Sequence, residues 1–430
     1  MKRIDVLVIG NGGREHALVA MCKKSPRVKK VFVAPGNPGM GKLATLVDIH
    51  STDINALAAF AQKNQIGLTV VGPEAPLEAG IADLFRHKGL LICGPTAYQA
   101  RLELSKAFAA KLLKKYDIPI PSSKVCTTPE AAIKAVRCAQ YPLVVKPDGN
   151  TGGHGVKICK TVEQAIAHIN AVMVDHIYAS KGDSGNCIVL QEYLEGPEIS
   201  ITLLTDGKKY ILLPDARDYK QRYDDDVGPM TGSMGSVSPS PVMTETLRSQ
   251  IELDIVQPLL VAVREHCNGN AYCGVLYLAL MITNQGPKVL EVNVRFGDSE
   301  AQAILPRIQS DLVPVLLQIA NGRLEANALE IDPRHAACVN LVSRKYPAPD
   351  LMREQAITGI EDAETVAGVT VYHAGTKSNE QGQLIADGGR VLNVIGFGQT
   401  LQQATQQAYS GTAHIQFDDK SMRTDIGECS

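Results

Sequence analysis

No two cysteines in this chain are spaced Cys-x-x-Cys. The ten lie at wide, irregular intervals, with Cys267 and Cys273 the nearest pair. That spacing argues against a disulfide framework or a zinc site and predicts reduced thiols in a cytoplasmic protein. Long runs of one charge are also missing: 43 Lys and Arg against 45 Asp and Glu leave a formal net charge of −2. There is no bulk electrostatic footprint for nucleic acid or an anionic membrane, so any anionic ligand must be gripped locally. No apolar run approaches a membrane span, and Met1-Lys2-Arg3-Ile4-Asp5-Val6 enters a strand pattern at once, without an apolar signal segment. Repeats, low-complexity tracts and a recognisable Ser-His-Asp or Cys-His context are absent. The expectation is a monomer acting on small molecules, with no nucleic-acid or membrane partner.

At 430 residues the chain exceeds one typical core and divides into roughly two to four domains. In the first hundred residues the apolar runs Val6 to Ile9, Val31 to Val33, Leu68 to Val71 and Leu90 to Ile92 alternate with helical patterns. This rhythm predicts an open parallel α/β domain, residues 1–104, with ligands at the carboxyl ends of its strands. A single helical pattern runs from about Tyr98 to Tyr116 and ends before Pro119 and Pro121. Residues 105–330 read as a central nucleotide domain, with a small lid at about 122–193 around the glycine-rich turn Asp148 to Gly155. The polar loop Tyr223 to Ser238 falls inside that span. Residues 331–430 read as a smaller α+β domain, with strands at Ala337 to Val342 and Thr370 to His373 and a helix at Thr400 to Tyr409.

The segment Pro287 to Glu300 carries the densest chemistry. A strand's period of two places Glu291, Asn293 and Arg295 on one face and Leu290, Val292 and Val294 on the other. A carboxylate and an amide carbonyl offer hard oxygens to Mg²⁺, and Arg295 can grip a carboxylate or phosphate oxygen. The alternative is an ordinary solvated strand face. Gly10-Asn11-Gly12-Gly13 suggests a dinucleotide turn, but Glu15 stands where a third glycine is needed, and the next strand ends in Ala34-Pro35-Gly36 without a ribose-binding acid. What survives is a helix start whose free N–H groups suit a phosphate, or else a structural turn. Lys146 at a strand end, the Gly149 to Gly155 loop and Ser105-Lys106 together can cover ATP phosphates, although the spacing is not a Walker motif. Around Leu190 to Leu194, backbone groups can read adenine and a following acid, Glu198, can hold ribose hydroxyls. Alternatively these acids are surface residues. His16, His154 and His373 read as structural or solvated.

Taken as a set, several segments closely resemble the phosphoribosylamine–glycine ligase (glycinamide ribonucleotide synthetase) family. They are Gly10 to Ala17, Ala34-Pro35-Gly36-Asn37, Val71 to Leu77, Ser105-Lys106, Gly232 to Gly235, Asn293 to Asp298, His373 to Thr376, Gly388 to Val391 and Arg423 to Gly427. The resemblance spans the chain and implies an ATP-grasp central domain that ligates glycine to 5-phosphoribosylamine, with ATP and Mg²⁺ or Mn²⁺ as cofactors. It implies ATP at Lys106, Lys146, Gly152, Gly153, His154, Gly155, Glu192, Tyr193, Leu194 and Glu198, and the metal on Glu291 and Asn293. The sugar phosphate and ribose would lie at Gly12, Gly13 and Gly72-Pro73-Glu74. Asp218, Lys220, Gly297 and Asp298 complete the implied substrate site, with Asp218 facing the glycine ammonium and Arg295 stabilising charge on the reacting groups.

Some positions depart from the family pattern. Gly153-His154-Gly155 stands where Gly-Lys-Gly is usual, which replaces a full charge with a largely neutral imidazole at pH 7. Ala216-Arg217-Asp218-Tyr219-Lys220 replaces Ser-Gln-Asp-His-Lys, leaving open a changed amino-acid or amine substrate. Ser233, Ser299 and Gln191 are milder replacements of Gly, Pro and Glu. Gly274 to Met281 carries no carboxylate, which favours the glycinamide subgroup over carboxylases.

Overall fold

The computed structural model describes residues 3–149, 155–177, 187–266, 270–325, 327–348, 350–351 and 354–428. The amino-terminal sheet has five strands in the order Thr45–Leu46, Val28–Pro35, Ile4–Gly10, Leu68–Val71, Ile92–Cys93, all parallel. Its central strand is apolar on both faces because both are covered. Leu7 and Ile9 enter a core with Leu57, Phe85, Leu278 and Val292, whereas Val6 and Val8 enter another with Leu18, Phe296, Cys338 and Ile395. Both faces of the first domain are therefore packed against later parts of the chain. Strand order reverses between Ile4–Gly10 and Leu68–Val71, so the turns Gly10 to Gly13 and Gly72 to Glu74 flank one crevice.

The pattern from Tyr98 to Tyr116 is two helices, Ala97–Leu104 and Lys106–Lys115, and not one. Ser105 breaks it: its backbone is extended, its Oγ accepts from Phe108 N, and Asp148 accepts from both Ser105 Oγ and Ala107 N. A serine that caps the second helix cannot continue the first.

Two further antiparallel sheets come next in the chain. The lid sheet runs Ser123–Cys126, Ile188–Glu192, Leu143–Pro147, Lys157–Cys159, and the central sheet runs Tyr210–Leu212, Glu198–Thr205, Gly274–Thr283, Gly286–Asn293. The carboxy-terminal sheet is composite. Its strands run Arg217–Asp218, Gly235–Ser238, His335–Ser343, Arg390–Gly398, Val369–His373, with Lys420–Ser421 also on His335–Ser343. Two strands from the middle of the chain thus complete a sheet whose other strands are carboxy-terminal. Among the described residues no helix is long and apolar enough to cross a membrane.

The first and last domains meet at a buried polar seam. His373 N donates to His16 Nδ1 at 2.9 Å, and Asn37 Nδ2 bridges Asn11 O and His373 O at 2.8 and 2.9 Å. Burial, with the His373 ring adding, lowers His16 to a pKa of about 3; burial, with Lys42 adding, lowers His373 to about 4. Between those values and the ordinary 6.5, only the unfolded chain binds the protons, so stability is present above pH 6.5 and is lost as pH falls towards 4. Each ring contributes at most about 1.4 kcal/mol per pH unit. Urea midpoints should drop between pH 7 and 5. The drop should shrink in His16→Asn, whose amide oxygen can still accept from His373 N–H; an equal drop in the variant would contradict this origin.

Candidate active site

At the crevice of the first sheet, Glu15 lies beneath the glycine turns. Its carboxylate accepts from Gly12 N at 2.7 Å and from Arg14 Nε at 2.5 Å. A Cβ on Gly72 would sit 2.1 Å from Glu15 Oε1, so the missing third glycine and the glycine at 72 have one cause, a buried carboxylate beneath both turns. This corrects the expectation of a fully free helix start, because the Gly12 N–H is already engaged. Gly13 is packed against Asn393 and Gln302 of the last domain and helix Glu300–Ile304. Glu74, at the other turn, faces across the crevice to Arg295 at 3.6 Å.

Strand Gly286–Asn293 is interrupted by a bulge. Ala279 pairs with Glu291 and Leu280 with Val289, which leaves Leu290 extra. Leu290 therefore does not share the core face with Val292 and Val294; Val289 takes that place, and the Leu290 carbonyl accepts from Lys146 Nζ at 3.3 Å. Beyond the bulge, Asn293 Nδ2 donates to Glu291 Oε1 at 3.3 Å. Glu291 also lies 3.7 Å from Lys220 Nζ, which pairs with Glu198 at 3.2 Å. Lys220 foremost, with Lys146, Lys106 and Arg295, outweighs burial and holds Glu291 at a pKa of about 2. Burial lowers Lys146 to about 8 against the pull of Glu291. For Lys220, burial is overridden by Glu198 and Glu291, and the ammonium is held well above its ordinary range. Lys220 thus lies against an ionised carboxylate and Lys146 against the adjacent carbonyl, with Lys106 adding to the same positive field, an arrangement poised for polyanionic phosphate.

Arg295 lies past the strand end. Its Nη2 is 2.8 Å from Glu103 Oε1, and its Nε faces Glu74. It shares the electrostatics of Glu291 but is anchored to the first domain and its following helix. Asp298 accepts from Gln302 Nε2 at 2.6 Å and pairs with Arg390 at 2.9 Å, and Arg390 keeps its carboxyl low against burial. Asp298 Oδ2 lies 3.7 Å from a Cβ built on Gly12, so it borders the crevice. Gly297 must be glycine, because a Cβ there would meet Glu300 Oε2 at 2.5 Å and the Tyr277 ring at 2.9 Å. Tyr277 OH donates to Glu300 Oε1 at 2.5 Å.

Asp218 sits on the edge strand of the composite sheet. Its Oδ1 is buried with no partner among the described atoms, and burial, then Glu300, pushes its pKa well up against the pull of Lys220. A carboxyl in that state gains from an incoming ammonium group. On the lid side, Lys106 Nζ donates to Gly149 O at 3.2 Å, and the Gly155 carbonyl is 2.7 Å from His168 Nε2. Gly152, Gly153 and His154 lie outside the described residues. Glu192 accepts from Ser122 N at 2.8 Å and pairs with Lys288 at 3.3 Å, Tyr193 is exposed, and Leu194 is partly buried. Glu15 and Arg390 stood in the sequence motifs without a role, and Glu103, Tyr277 and Glu300 carried none either. Glu15 carried a local signal, an acid three residues after the helix cap whose carboxylate accepts from the Gly12 N–H, the half of a capping box open to a glycine.

The sequence matches three consecutive descriptions: phosphoribosylglycinamide synthetase N domain over residues 4–103, its ATP-grasp (A) domain over 104–301, and its C domain over 336–429. The chain belongs to the phosphoribosylglycinamide synthetase family. Relatives named phosphoribosylamine–glycine ligase include the protein of Escherichia coli K12, 42% identical over 99% of this chain and 98% of that protein. Another, from Rhodopirellula baltica, is 41% identical over 100% and 98%. A crystal structure of phosphoribosylamine–glycine ligase from Thermotoga maritima superposes with a TM-score of 0.83 at 30% identity, covering 98% of this chain and all of that one. A biotin carboxylase domain from Hydrogenobacter thermophilus, at TM-score 0.74 and 16% identity, shares the fold. As a phosphoribosylglycinamide synthetase the chain is an ATP-grasp ligase, and that fold implies ATP with a divalent cation. The donors present fit a cation that arrives on the triphosphate: one ionised carboxylate and one amide, with no cluster of three or more acidic, His or Cys side chains among the described residues.

Proposed function

We propose that this synthetase joins glycine to 5-phosphoribosylamine through glycyl phosphate, releasing ADP and phosphate. The observation that carries the proposal is Lys220 at 3.7 Å from Glu291, with Lys146 on the adjacent Leu290 carbonyl, beside a crevice bounded by Glu74, Arg295 and Asp298. ATP lies between the lid and central sheets, its adenine against the backbone of Glu192, Tyr193 and Leu194, its ribose near Glu198, and its phosphates near Lys106, Lys146 and Gly155; Gly152, Gly153 and His154 are assigned to the same phosphates by the family resemblance. Glu291 and Asn293 would hold Mg²⁺ or Mn²⁺, which would supply charge neutralisation for the phosphates. Asp218 receives the glycine ammonium and turns its carboxylate towards the γ-phosphate. Lys220, kept charged by its two carboxylates, steers that carboxylate.

A carboxylate oxygen of glycine attacks the γ-phosphorus and ADP leaves. The sugar phosphate and ribose are held at Gly12, Gly13 and Gly72-Pro73-Glu74, with Gly297 and Asp298 closing the site. The amine nitrogen, uncharged at neutral pH, attacks the acyl carbon, Arg295 faces the developing oxyanion, and phosphate leaves carrying the proton that the nitrogen gives up. Positioning and charge neutralisation supply the catalysis, so no protein nucleophile is required. We divide the chain at 104/105 and 330/331 and assign it as a cytoplasmic monomer.

The departures at Arg217 and Tyr219 support glycine over a changed amino acid, since both side chains are buried away from Asp218, with the Arg217 guanidinium over the Tyr219 ring. ADP and phosphate should form only when glycine and phosphoribosylamine are supplied together, and alanine or serine should not replace glycine. No ADP with both substrates, or preference for another amino acid, would overturn this reading.

A further inference from the structure

Residues Arg217 to Lys220 divide by alternation. Asp218 and Lys220 turn to the cleft, while Arg217 and Tyr219 turn to the last residues of the chain. Tyr219 is 2% exposed; its OH donates to Glu428 O at 3.1 Å and accepts from Gly427 N at 3.0 Å. The Arg217 and Arg423 guanidinium carbons lie 4.8 and 5.1 Å from its ring centroid. Arg423, 1% exposed, donates to both oxygens of Asp425 at 2.7 and 2.6 Å, to Asp226 at 2.7 Å and to Gln221 O at 3.2 Å. Thr424 adds bonds to Asp224 at 2.8 and 2.6 Å, and Asp225 N donates to Asp425 at 3.0 Å. One buried guanidinium thus ties the carboxy-terminal segment to the turn at Gln221 to Asp226 and to the ring between Asp218 and Lys220.

We propose that Arg423 is a positioning residue for the glycine end of the active site: the segment Arg423 to Glu428 is a clasp that fixes the short strand presenting Asp218 and Lys220. The proposal rests on the reading of Asp218 as the ammonium acceptor. Short strands at a sheet edge have few bonds to hold their register. Arg217 and Asp218 pair with Val237 and Ser236, Ala216 bridges Ser200, and the Tyr219 and Lys220 backbones bond to Gly235, Met234 and Thr231; the clasp adds side-chain bonds to this short ladder on the face opposite the cleft. Of the three departures from the family pattern in this segment, Arg217 and Tyr219 meet the clasp and Ala216 is buried beside Ser200.

The test is steady-state kinetics on full-length Arg423→Ala and Tyr219→Phe beside Asp218→Asn. Arg423→Ala should raise the KM for glycine about tenfold and leave the KM for ATP within about twofold. Tyr219→Phe, which loses only the two hydroxyl bonds and keeps the core, should raise the glycine KM by roughly threefold and remains informative if Arg423→Ala fails to fold. Arg423→Lys, able to pair with one carboxylate at a time, should recover part of the loss. A rise in glycine KM for Asp218→Asn with no change in the two clasp variants would overturn the clasp while sparing the role of Asp218. Equal increases in glycine and ATP KM would also overturn it. If Asp218→Asn has no effect but the clasp variants raise glycine KM alone, the ammonium assignment falls and the clasp stands.

Discussion

Glu291→Gln should leave a folded enzyme whose kcat/KM for ATP is lower by about a thousandfold, equivalent to roughly 4 kcal/mol of lost transition-state stabilisation. The side chain is 43% exposed, so its loss opens no cavity, and Asn293, Lys146 and the Leu290 carbonyl keep the local frame. What disappears is the charge that offsets Lys220, Lys146 and Lys106. Without it the proposed cation site would lose its carboxylate oxygen, and the lysines would repel one another before nucleotide arrives. Unchanged thermal unfolding alongside the lost ADP release would separate chemistry from folding. Near wild-type turnover would remove Glu291 from the metal site.

Arg295→Met should affect both stability and rate. Glu103 is only 10% exposed; burial pushes its pKa up while Arg295 draws it down, so removing the guanidinium strands a buried carboxylate at a cost of about 3–5 kcal/mol. The pair of changes Arg295→Met and Glu103→Gln should recover much of that stability, because the charge left behind is gone. It should not recover activity, which should stay at least a hundredfold down if Arg295 faces the reacting oxyanion. Urea unfolding and single-turnover rates on the single and double variants check both halves. Recovery of rate together with stability would reduce Arg295 to a structural tie between the first domain and the central sheet.

Much of this molecule was legible because strand ends carry the chemistry. Apolar runs followed by Gly10 to Gly13 and Gly72 to Glu74 marked the parallel sheet and its crevice, and the structure puts both turns at the reversal of strand order. Alternation placed Glu291 with Asn293. It failed one residue earlier, because a bulge inserts Leu290 without altering the apolar count, so the pattern reads the same with or without it. The helix break at Ser105 had a local sign in a serine before Lys106, outweighed by helical periodicity on both sides. The capture of Arg217–Asp218 and Gly235–Ser238 by the carboxy-terminal sheet had no local sign. It depends on which distant strand offers a free edge, and the partner, His335–Ser343, lies about a hundred residues later. Glu103 and Glu300 look like solvated helix acids until tertiary packing buries them against Arg295 and Tyr277. The exposed sign of the site was therefore readable, and its buried counter-charges were not.

In the proposed reaction the carboxylate of glycine becomes phosphorylated before the amine attacks. Turnover of glycine labelled with ¹⁸O in both carboxylate oxygens, with MgATP and phosphoribosylamine, followed by mass analysis of products, tests it directly. The account predicts that the released phosphate carries one ¹⁸O and the glycinamide ribonucleotide keeps the other. Unlabelled phosphate would contradict the acyl phosphate.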